Sequence, residues 1–182
     1  MAKQVSLWTL GHSTLPIEDF FELLNAFAIA ALVDVRSFPG SRRYPQFNKE
    51  NLHSSLAGAG INYFHLPRLG GRRRARPDSL NMAWRNESFR GYADYMETAD
   101  FYAGISELLA VAARSRTALM CAEALWWRCH RSLIADYLKV KGIEVIHIIA
   151  AGKAEAHPFT SAATVVEGKL SYRGILGSAP SA

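Results

Sequence analysis

Ala30-Ala31-Leu32-Val33-Asp34-Val35-Arg36-Ser37 is the stretch that decides the fold. Its first half is nearly continuously apolar, which is typical of a parallel strand covered by helices on both faces. Short runs of this kind alternate along the chain with amphipathic stretches, a pattern that favours a sheet flanked by helices. We therefore expect an α/β fold, a three-layer αβα arrangement with a mostly parallel sheet of about five strands and a small C-terminal hairpin.

The same patterns place the other elements. Strands are expected at residues 5–10, 30–35, 61–66, 117–120 and 144–149, and the hairpin at 164–172. Helices are expected after Pro16, from an Asn48 cap to about Ala59, from Ser88 to about Ala113 with a break near Thr98, and up to about Lys141, where Gly142 supplies a left-handed stop. Residues 67–87 are polar, basic and aperiodic, which is typical of either a functional loop or a disordered one.

The overall composition is that of a globular protein. With 182 residues, 49% of them hydrophobic and 20% charged, the chain is long enough for one domain. We expect that domain to span residues 1–175, followed by a flexible tail at 176–182. No apolar run approaches the roughly 18 residues of a membrane helix, and residues 1–7 lack the apolar region of a signal peptide. Two cysteines are too few for a disulfide scaffold, so we expect a cytoplasmic protein with reduced thiols.

The positive charge is concentrated in one region. Residues 36–90 hold 11 Lys and Arg against 3 Asp and Glu, whereas acidic residues are in excess elsewhere. A local excess of this size indicates an anionic partner, although a solubilising surface would have the same composition. The arginines that would contact a nucleic acid are Arg42, Arg43, Arg72, Arg73 and Arg74.

Polar residues follow every predicted strand of the sheet. In open α/β sheets, ligands bind at the carboxyl ends of the strands, so these residues are the candidates for one shared site. They are His12 and Ser13, then Asp34, Arg36 and Ser37, then His65, then Cys121 and Glu123, and finally His157.

Asp34 and Arg36 project to the same side of an extended chain and can form an ion pair. That pair has two interpretations. It either holds the following loop, or it presents Arg36 to an anionic ligand while Asp34 orients it or acts as a base.

The segment from Cys121 to Arg131 is the richest in reactive groups. A cysteine at a strand end before a helix can be held as a thiolate, which makes Cys121 a candidate nucleophile, although buried cysteines are commonly core residues. Arg128, His130 and Arg131 are expected in the first helical turn, where cations oppose the helix dipole unless an anion lies between them. That anion is either a ligand or Glu123.

Other motif interpretations are weaker. The interval from Cys121 to Arg128 is two residues too long for the loop of cysteine phosphatases and sulfurtransferases. Suitable zinc ligands are Cys121, Cys129, His12, His65, His130 and His157, but no CxxC or HxxxH spacing supports a metal site. No cofactor is therefore predicted, and zinc is the weaker alternative. His147, inside the fifth strand, is expected to be a hydrogen-bonded core histidine. Trp126 and Trp127 are suited equally to base stacking and to covering the core.

Several ordered blocks resemble the domain of unknown function 488 family. They are Gly11-His12-Ser13, the stretch from Val33 to Ser41, Phe47-Asn48, Tyr63 to Pro67 with Leu69-Gly70-Gly71, Phe89 to Tyr92, Cys121-Ala122-Glu123, Cys129-His130-Arg131, and His157 to Thr160. The resemblance implies a single α/β domain with these blocks gathered at one face, and it implies no substrate. Relatives generally carry an Asp-Pro segment between Glu123 and Cys129, where this chain has Leu125 and Trp126. Asp-Pro would cap and start the next helix, so the resemblance leaves the start of that helix open in this chain.

The convergence of these groups predicts an enzyme, a hydrolase or group transferase, acting on a phosphate-bearing ligand, nucleotide or nucleic-acid end. The catalytic candidates are Asp34, Cys121 and Glu123, and the ligand-binding candidates are His12, Ser13, Arg36, Ser37, His65, Cys129, His130 and Arg131. The alternative is a non-catalytic nucleic-acid-binding module that uses the Arg68–Arg76 segment.

Overall fold

A computed structural model describes residues 5–174, so the predicted tail lies outside the described residues. The strands are Ser6–Gly11 (β1), Ala31–Asp34 (β2), Asn62–His65 (β3), Thr117–Cys121 (β4), Glu144–Ala150 (β5), Lys153–Ala156 (β6), Thr164–Val166 (β7) and Lys169–Ser171 (β8). The α-helices are Ile17–Ala26 (α1), Lys49–Gly58 (α2), Glu87–Tyr95 (α3), Ala99–Ala112 (α4) and Arg131–Val140 (α5). Short 3₁₀ helices occupy Pro45–Phe47, Pro67–Leu69 and Trp126–Arg128.

The main sheet has the strand order β3-β2-β4-β1-β5-β6, with parallel pairing throughout except for β6. This confirms the α/β prediction and the antiparallel C-terminal hairpin, which is formed by β7 and β8. The antiparallel edge strand β6 was not predicted. All four of its residues are exposed, so it lacks the alternating apolar pattern by which a strand is recognised.

Two apolar layers cover the sheet. On one face, Trp8 and Leu10 of β1 pack with α1 and α2 residues such as Phe20 and Leu52. On the other face, Leu7 packs with residues of α3, α4 and α5. Because neighbouring strand residues serve opposite layers, the central strands must be apolar on both faces, as the sequence predicted. Polar side chains therefore collect where the strands end.

The helix boundaries follow the predicted signals with two corrections. Thr98 separates α3 from α4, and its hydroxyl accepts a hydrogen bond from the Phe101 amide at 3.3 Å. Asn48 precedes α2 as expected, but its side chain accepts from the Ser41 amide at 2.5 Å rather than capping the helix. Arg128 is not in the first turn of α5, because a separate 3₁₀ turn ends there and His130 is the residue before the helix.

The polar segment 67–87 follows a defined path that one buried carboxylate fixes. Asp94 of α3 is 3% exposed and accepts hydrogen bonds from the Arg76 amide at 2.8 Å, the Ser79 hydroxyl at 2.6 Å and the Asn81 side chain at 2.8 Å. Although burial opposes it, these bonds lower the pKa of Asp94.

No helix within residues 5–174 combines the length and the apolar content that crossing a membrane requires.

Candidate functional site

A pocket of about 210 Å³ lies where β2 and β4 end, and we call it the thiol pocket. It is lined by Arg36, Ser37, Phe38, Gly71, Arg72, Cys121, Ala122 and His130. The pocket therefore brings together residues that follow β2, β3 and β4 with the residue that precedes α5. This is the edge of the sheet at which the sequence predicts the site.

Asp34 and Arg36 form the ion pair that their spacing predicts. Arg36 Nη2 lies 2.6 Å from Asp34 Oδ2, and Arg36 Nε lies 2.9 Å from Oδ1. The Arg36 amide also donates to Oδ1 at 3.0 Å, and the Tyr63 hydroxyl donates to Oδ2 at 2.6 Å. Each oxygen of this fully buried carboxylate thus accepts two hydrogen bonds. Asp34 is placed to orient Arg36, and the hydrogen bond from Tyr63 was not predicted from the sequence.

His12 completes the support of Arg36. Its Nδ1 lies 2.9 Å from the Ser13 carbonyl oxygen and therefore carries the proton, which leaves Nε2 to accept from Arg36 Nη1 at 3.2 Å. Burial and then the neighbouring Arg36 lower the pKa of His12 to about 4, so the ring is neutral at pH 7. On the other side, His65 Nε2 donates to the Arg36 carbonyl at 2.8 Å, and Ser37 donates to the Gly71 carbonyl at 3.0 Å.

Two thiols and one imidazole meet at the base of the pocket. One reactive atom from each of Cys121, Cys129 and His130 lies within 4.8 Å of the others, and Cys129 Sγ lies 3.7 Å from His130 Nδ1. A hydrogen bond from Cys129 lowers the pKa of Cys121, and His130 and the Glu123 amide lower it further, whereas burial raises it. The pKa of Cys129 is raised by the same hydrogen bond and by burial. Cys121 is therefore the more acidic thiol of the pair.

Gly71 lets His130 approach this pair. A Cβ atom at Gly71 would lie only 2.8 Å from His130 Nδ1, a distance that real side chains do not tolerate. The His130 ring also packs against Tyr92, with 4.9 Å between ring centroids, and within residues 5–174 its buried Nε2 has no hydrogen-bond partner. The sequence singled out His130, but it gave no indication that Gly71 shapes the pocket.

Arg131 and Glu123 do not line the thiol pocket. The Arg131 side chain is 1% exposed and donates from Nη2 to the Ala124 carbonyl at 2.8 Å, so it holds the loop before α5. Glu123 is exposed, and its carboxylate accepts from the Leu125 amide at 3.1 Å. Ser13 also contacts this loop, because its amide donates to the Ala122 carbonyl at 2.9 Å.

His157 lies in a separate buried network rather than at the predicted site. We call this network the histidine relay, and it runs Thr9–His147–His157–Asp136, with distances of 2.6, 2.9 and 2.9 Å. The prediction that His147 is a hydrogen-bonded core residue is confirmed. Trp126 stacks on His147 at 4.4 Å between centroids, so this tryptophan covers the core, whereas Trp127 is exposed.

Only one of the predicted nucleic-acid arginines lines the thiol pocket. Arg72 has a left-handed backbone, with φ of 60°, and its guanidinium lies 5.9 Å from the ring centroid of Phe38, which is 75% exposed. Arg73 is committed to Tyr95, 3.7 Å from the ring centroid, and to the Gly70 carbonyl. Arg42, Arg43 and Arg74 are exposed outside the pocket lining.

Fold and site together define an α/β protein with a cysteine- and arginine-lined pocket at its strand ends. The family model described as "Domain of unknown function DUF488" matches residues 16–138, and the chain belongs to this family. Neither the curated proteins nor the solved structures contain a match to this chain.

Proposed function

We propose that the protein is an enzyme that transfers or hydrolyses a group of a phosphate-bearing ligand, with Cys121 as the nucleophile. The observation that carries the proposal is the placement of a thiol with a lowered pKa in a pocket lined by Arg36, Arg72 and His130. A thiolate is the reactive form of cysteine, and arginine is suited to bidentate recognition of phosphate oxygens. These two requirements of a thiol-dependent phosphotransfer coincide at one place.

The proposed reaction has two steps. The Cys121 thiolate attacks phosphorus, the bond from phosphorus to the leaving oxygen breaks, and protonated His130 gives that oxygen its proton. Water or an acceptor hydroxyl then attacks the phosphocysteine, loses its proton to His130 and releases the thiolate. Asp34 serves as a positioning residue in this scheme, because both of its oxygens are occupied by Arg36 and Tyr63.

A nucleotide or nucleic-acid end is the substrate class we favour. Phe38 offers an exposed aromatic face at the pocket mouth on which a base can stack, and Arg72 lies beside it. Free thiols fit a reducing compartment, so we place the protein in the cytoplasm.

The alternative function is nucleic-acid binding without catalysis through the Arg68–Arg76 segment. The exposed Arg72 and Arg74 favour it, whereas Arg68 pairs with Glu107 and Arg76 pairs with Glu97 at 2.8 Å, which reduces the charge left for a polyanion. Binding would weaken as salt rises, with a log–log slope of about 0.7–0.9 per phosphate contact. An unchanged slope in the Arg72→Ala/Arg74→Ala variant removes this alternative.

A zinc ion is a second candidate for the base of the pocket. Cys121, Cys129 and His130 supply the sulfur and nitrogen donors that zinc prefers. Arg36 and Arg72 line the same pocket and oppose a dication there, so we favour the metal-free thiolate. Metal analysis of the purified protein decides between the two.

The test of the enzymatic proposal is turnover of a panel of nucleotides and aryl phosphates by wild type and Cys121→Ser. We expect a substrate whose turnover falls at least about 10³-fold in the variant. Arg74→Ala is the control, because Arg74 is exposed outside the pocket lining and the change leaves both thiols in place. Equal turnover by wild type and Cys121→Ser removes Cys121 from the nucleophile role.

A further inference from the structure

We propose that Cys121 and Cys129 are a redox-modification site, at which hydroperoxides convert the two thiols into a reversible intramolecular disulfide. This inference concerns the thiol pair alone and holds whether or not the pocket acts on phosphate esters. The reaction proposed above uses Cys121 alone and makes no use of the two thiols as a pair.

The geometry brings the two sulfurs close from different elements. Cys121 ends β4, and Cys129 lies between the 3₁₀ turn at Trp126–Arg128 and His130. Their Sγ atoms lie within 4.8 Å of each other, and a disulfide requires about 2.05 Å. The remaining approach is at most about 3 Å, which rotation of the two side chains and a small movement of the connecting loop can supply.

The surroundings assign different roles to the two thiols. Cys121 lines the pocket, so a small oxidant meets it first. Cys129 is 4% exposed and does not line the pocket, and its Sγ lies within 4.8 Å of the Cys121 Sγ. This is the arrangement of a reacting thiol with a resolving thiol behind it.

The chemistry balances with a hydroperoxide as the oxidant. The Cys121 thiolate attacks the terminal peroxide oxygen, the O–O bond breaks, and the alkoxide takes a proton to leave as an alcohol, which gives a Cys121 sulfenic acid. The Cys129 sulfur then attacks the Cys121 sulfur, the S–O bond breaks, and hydroxide leaves with the Cys129 proton as water. A dithiol reductant restores both thiols by exchange.

The tryptic map of this chain makes the product directly readable. Trypsin cleaves after Arg116, Arg128 and Arg131, so Cys121 and Cys129 fall in the separate peptides 117–128 and 129–131. A disulfide between them appears as these two peptides joined, and dithiothreitol separates them. A shift of intact mass to a dimer would instead report a bond between two chains.

The experiment treats reduced full-length protein with tert-butyl hydroperoxide and follows free thiols and the joined peptide. We expect free thiols to fall from two to none per chain, with the joined peptide formed and dithiothreitol reversing both. In Cys129→Ser, Cys121 should stop at the sulfenic acid and be captured by dimedone. In Cys121→Ser, Cys129 should stay reduced at the same peroxide dose.

Three outcomes would overturn the inference. They are wild-type Cys121 oxidised beyond the sulfenic acid with no joined peptide, a disulfide only between chains, and thiols that resist peroxide because a stoichiometric zinc ion occupies them. Because the central readout uses the unmutated protein, a misfolded variant does not obscure it. It also requires no turnover, so failure here and failure of the phosphotransfer proposal are separate results.

Discussion

The thiol pocket and the histidine relay are built from similar residues. They differ in whether reactive side chains face a cavity or are held in hydrogen bonds within the protein. Each contains a buried aspartate and a buried histidine. In the relay, Asp136 accepts hydrogen bonds from His157, from the amide and hydroxyl of Thr160, and from Tyr172. In the pocket, Asp34 is equally saturated, but Cys121 and Arg72 face a cavity.

The difference shows that a polar residue at a strand end is not by itself a sign of function. In the relay, the side chains hydrogen-bond to one another, and Asp136 of α5 binds residues of the segment 157–172, which is a structural role. The pocket uses Asp34, His12 and His65 to fix Arg36, and it keeps a thiol and cations accessible to a ligand. Each prediction below breaks or sharpens this comparison.

The largest effect is expected when either buried aspartate is removed. Asp136→Ala and Asp34→Ala should each lower the free energy of unfolding by about 3–5 kcal/mol, because each leaves buried charged or polar groups without a partner. Inorganic phosphate bound in the pocket should protect Cys121 from alkylation. Only Asp34→Ala should also weaken this protection, because Asp34 holds Arg36 in place. Urea unfolding and alkylation kinetics measure both quantities, and a loss of protection in Asp136→Ala would erase the distinction between the two regions.

Asp94 should show that the basic segment depends on a third buried carboxylate. Asp94→Ala is expected to cost about 2–3 kcal/mol of stability, because charged hydrogen bonds to Arg76, Ser79 and Asn81 are lost. Asp78→Ala is the matched control from the same segment, since this aspartate is 88% exposed and its removal should change stability by less than about 0.5 kcal/mol. Equal effects of the two changes would mean that Asp94 does not anchor the segment.

The relay should make stability depend on pH. Burial, His157 and Arg131 lower the pKa of His147 to about 3, whereas the unfolded chain has a histidine pKa of about 6.5. Stability is therefore full above about pH 6.5 and falls as pH drops, by up to about 1.4 kcal/mol per pH unit, since only the unfolded state binds this proton. His147→Asn should have a smaller slope between about pH 6.5 and 5 in urea unfolding. A slope equal to wild type would indicate that His147 is charged in the folded protein.

The smallest effect concerns two neighbouring arginines. Arg72→Ala should weaken phosphate protection of Cys121 about tenfold, the loss expected for one charged hydrogen bond, whereas Arg74→Ala should leave it unchanged. Competition between phosphate and iodoacetamide measures the difference. Equal weakening by both variants would favour a diffuse basic surface over a defined anion site.

The strand ends and the Asp34–Arg36 pair could be predicted because they follow from local periodicity. The apolar run identifies β2, and an extended chain that continues two residues beyond it places Asp34 and Arg36 on one side. The position of Arg131 could not be predicted, because it depends on the 3₁₀ turn that carries the preceding loop over its side chain. His157 was misplaced because the unpredicted strand β6 returns the chain antiparallel along β5, so that the His157 amide donates to the Val145 carbonyl near the start of β5.

The role of Gly71 and the hydrogen bond from Tyr63 to Asp34 could not be predicted from the sequence either. Both are contacts between residues about thirty or more positions apart, which no local pattern encodes. The proximity of Cys121 and Cys129 depends likewise on the path of residues 122–128 over the end of β1. In that path the Glu123 carbonyl would lie 1.9 Å from a Cβ atom at Gly11, so glycine is required there.

The central claim is that Cys121 has a lowered pKa and faces an accessible pocket, and the pH profile of its alkylation tests this most directly. The rate of iodoacetamide modification, located by peptide mass, should fall less steeply in wild type than that of an ordinary thiol as pH falls from about 8 to about 6. In Cys129→Ser, and in His130→Gln, the profile should move towards higher pH, because each change removes an interaction that lowers the pKa of Cys121. A wild-type rate that falls about tenfold per pH unit across that range, as for an ordinary thiol of pKa about 8.5, would contradict the account.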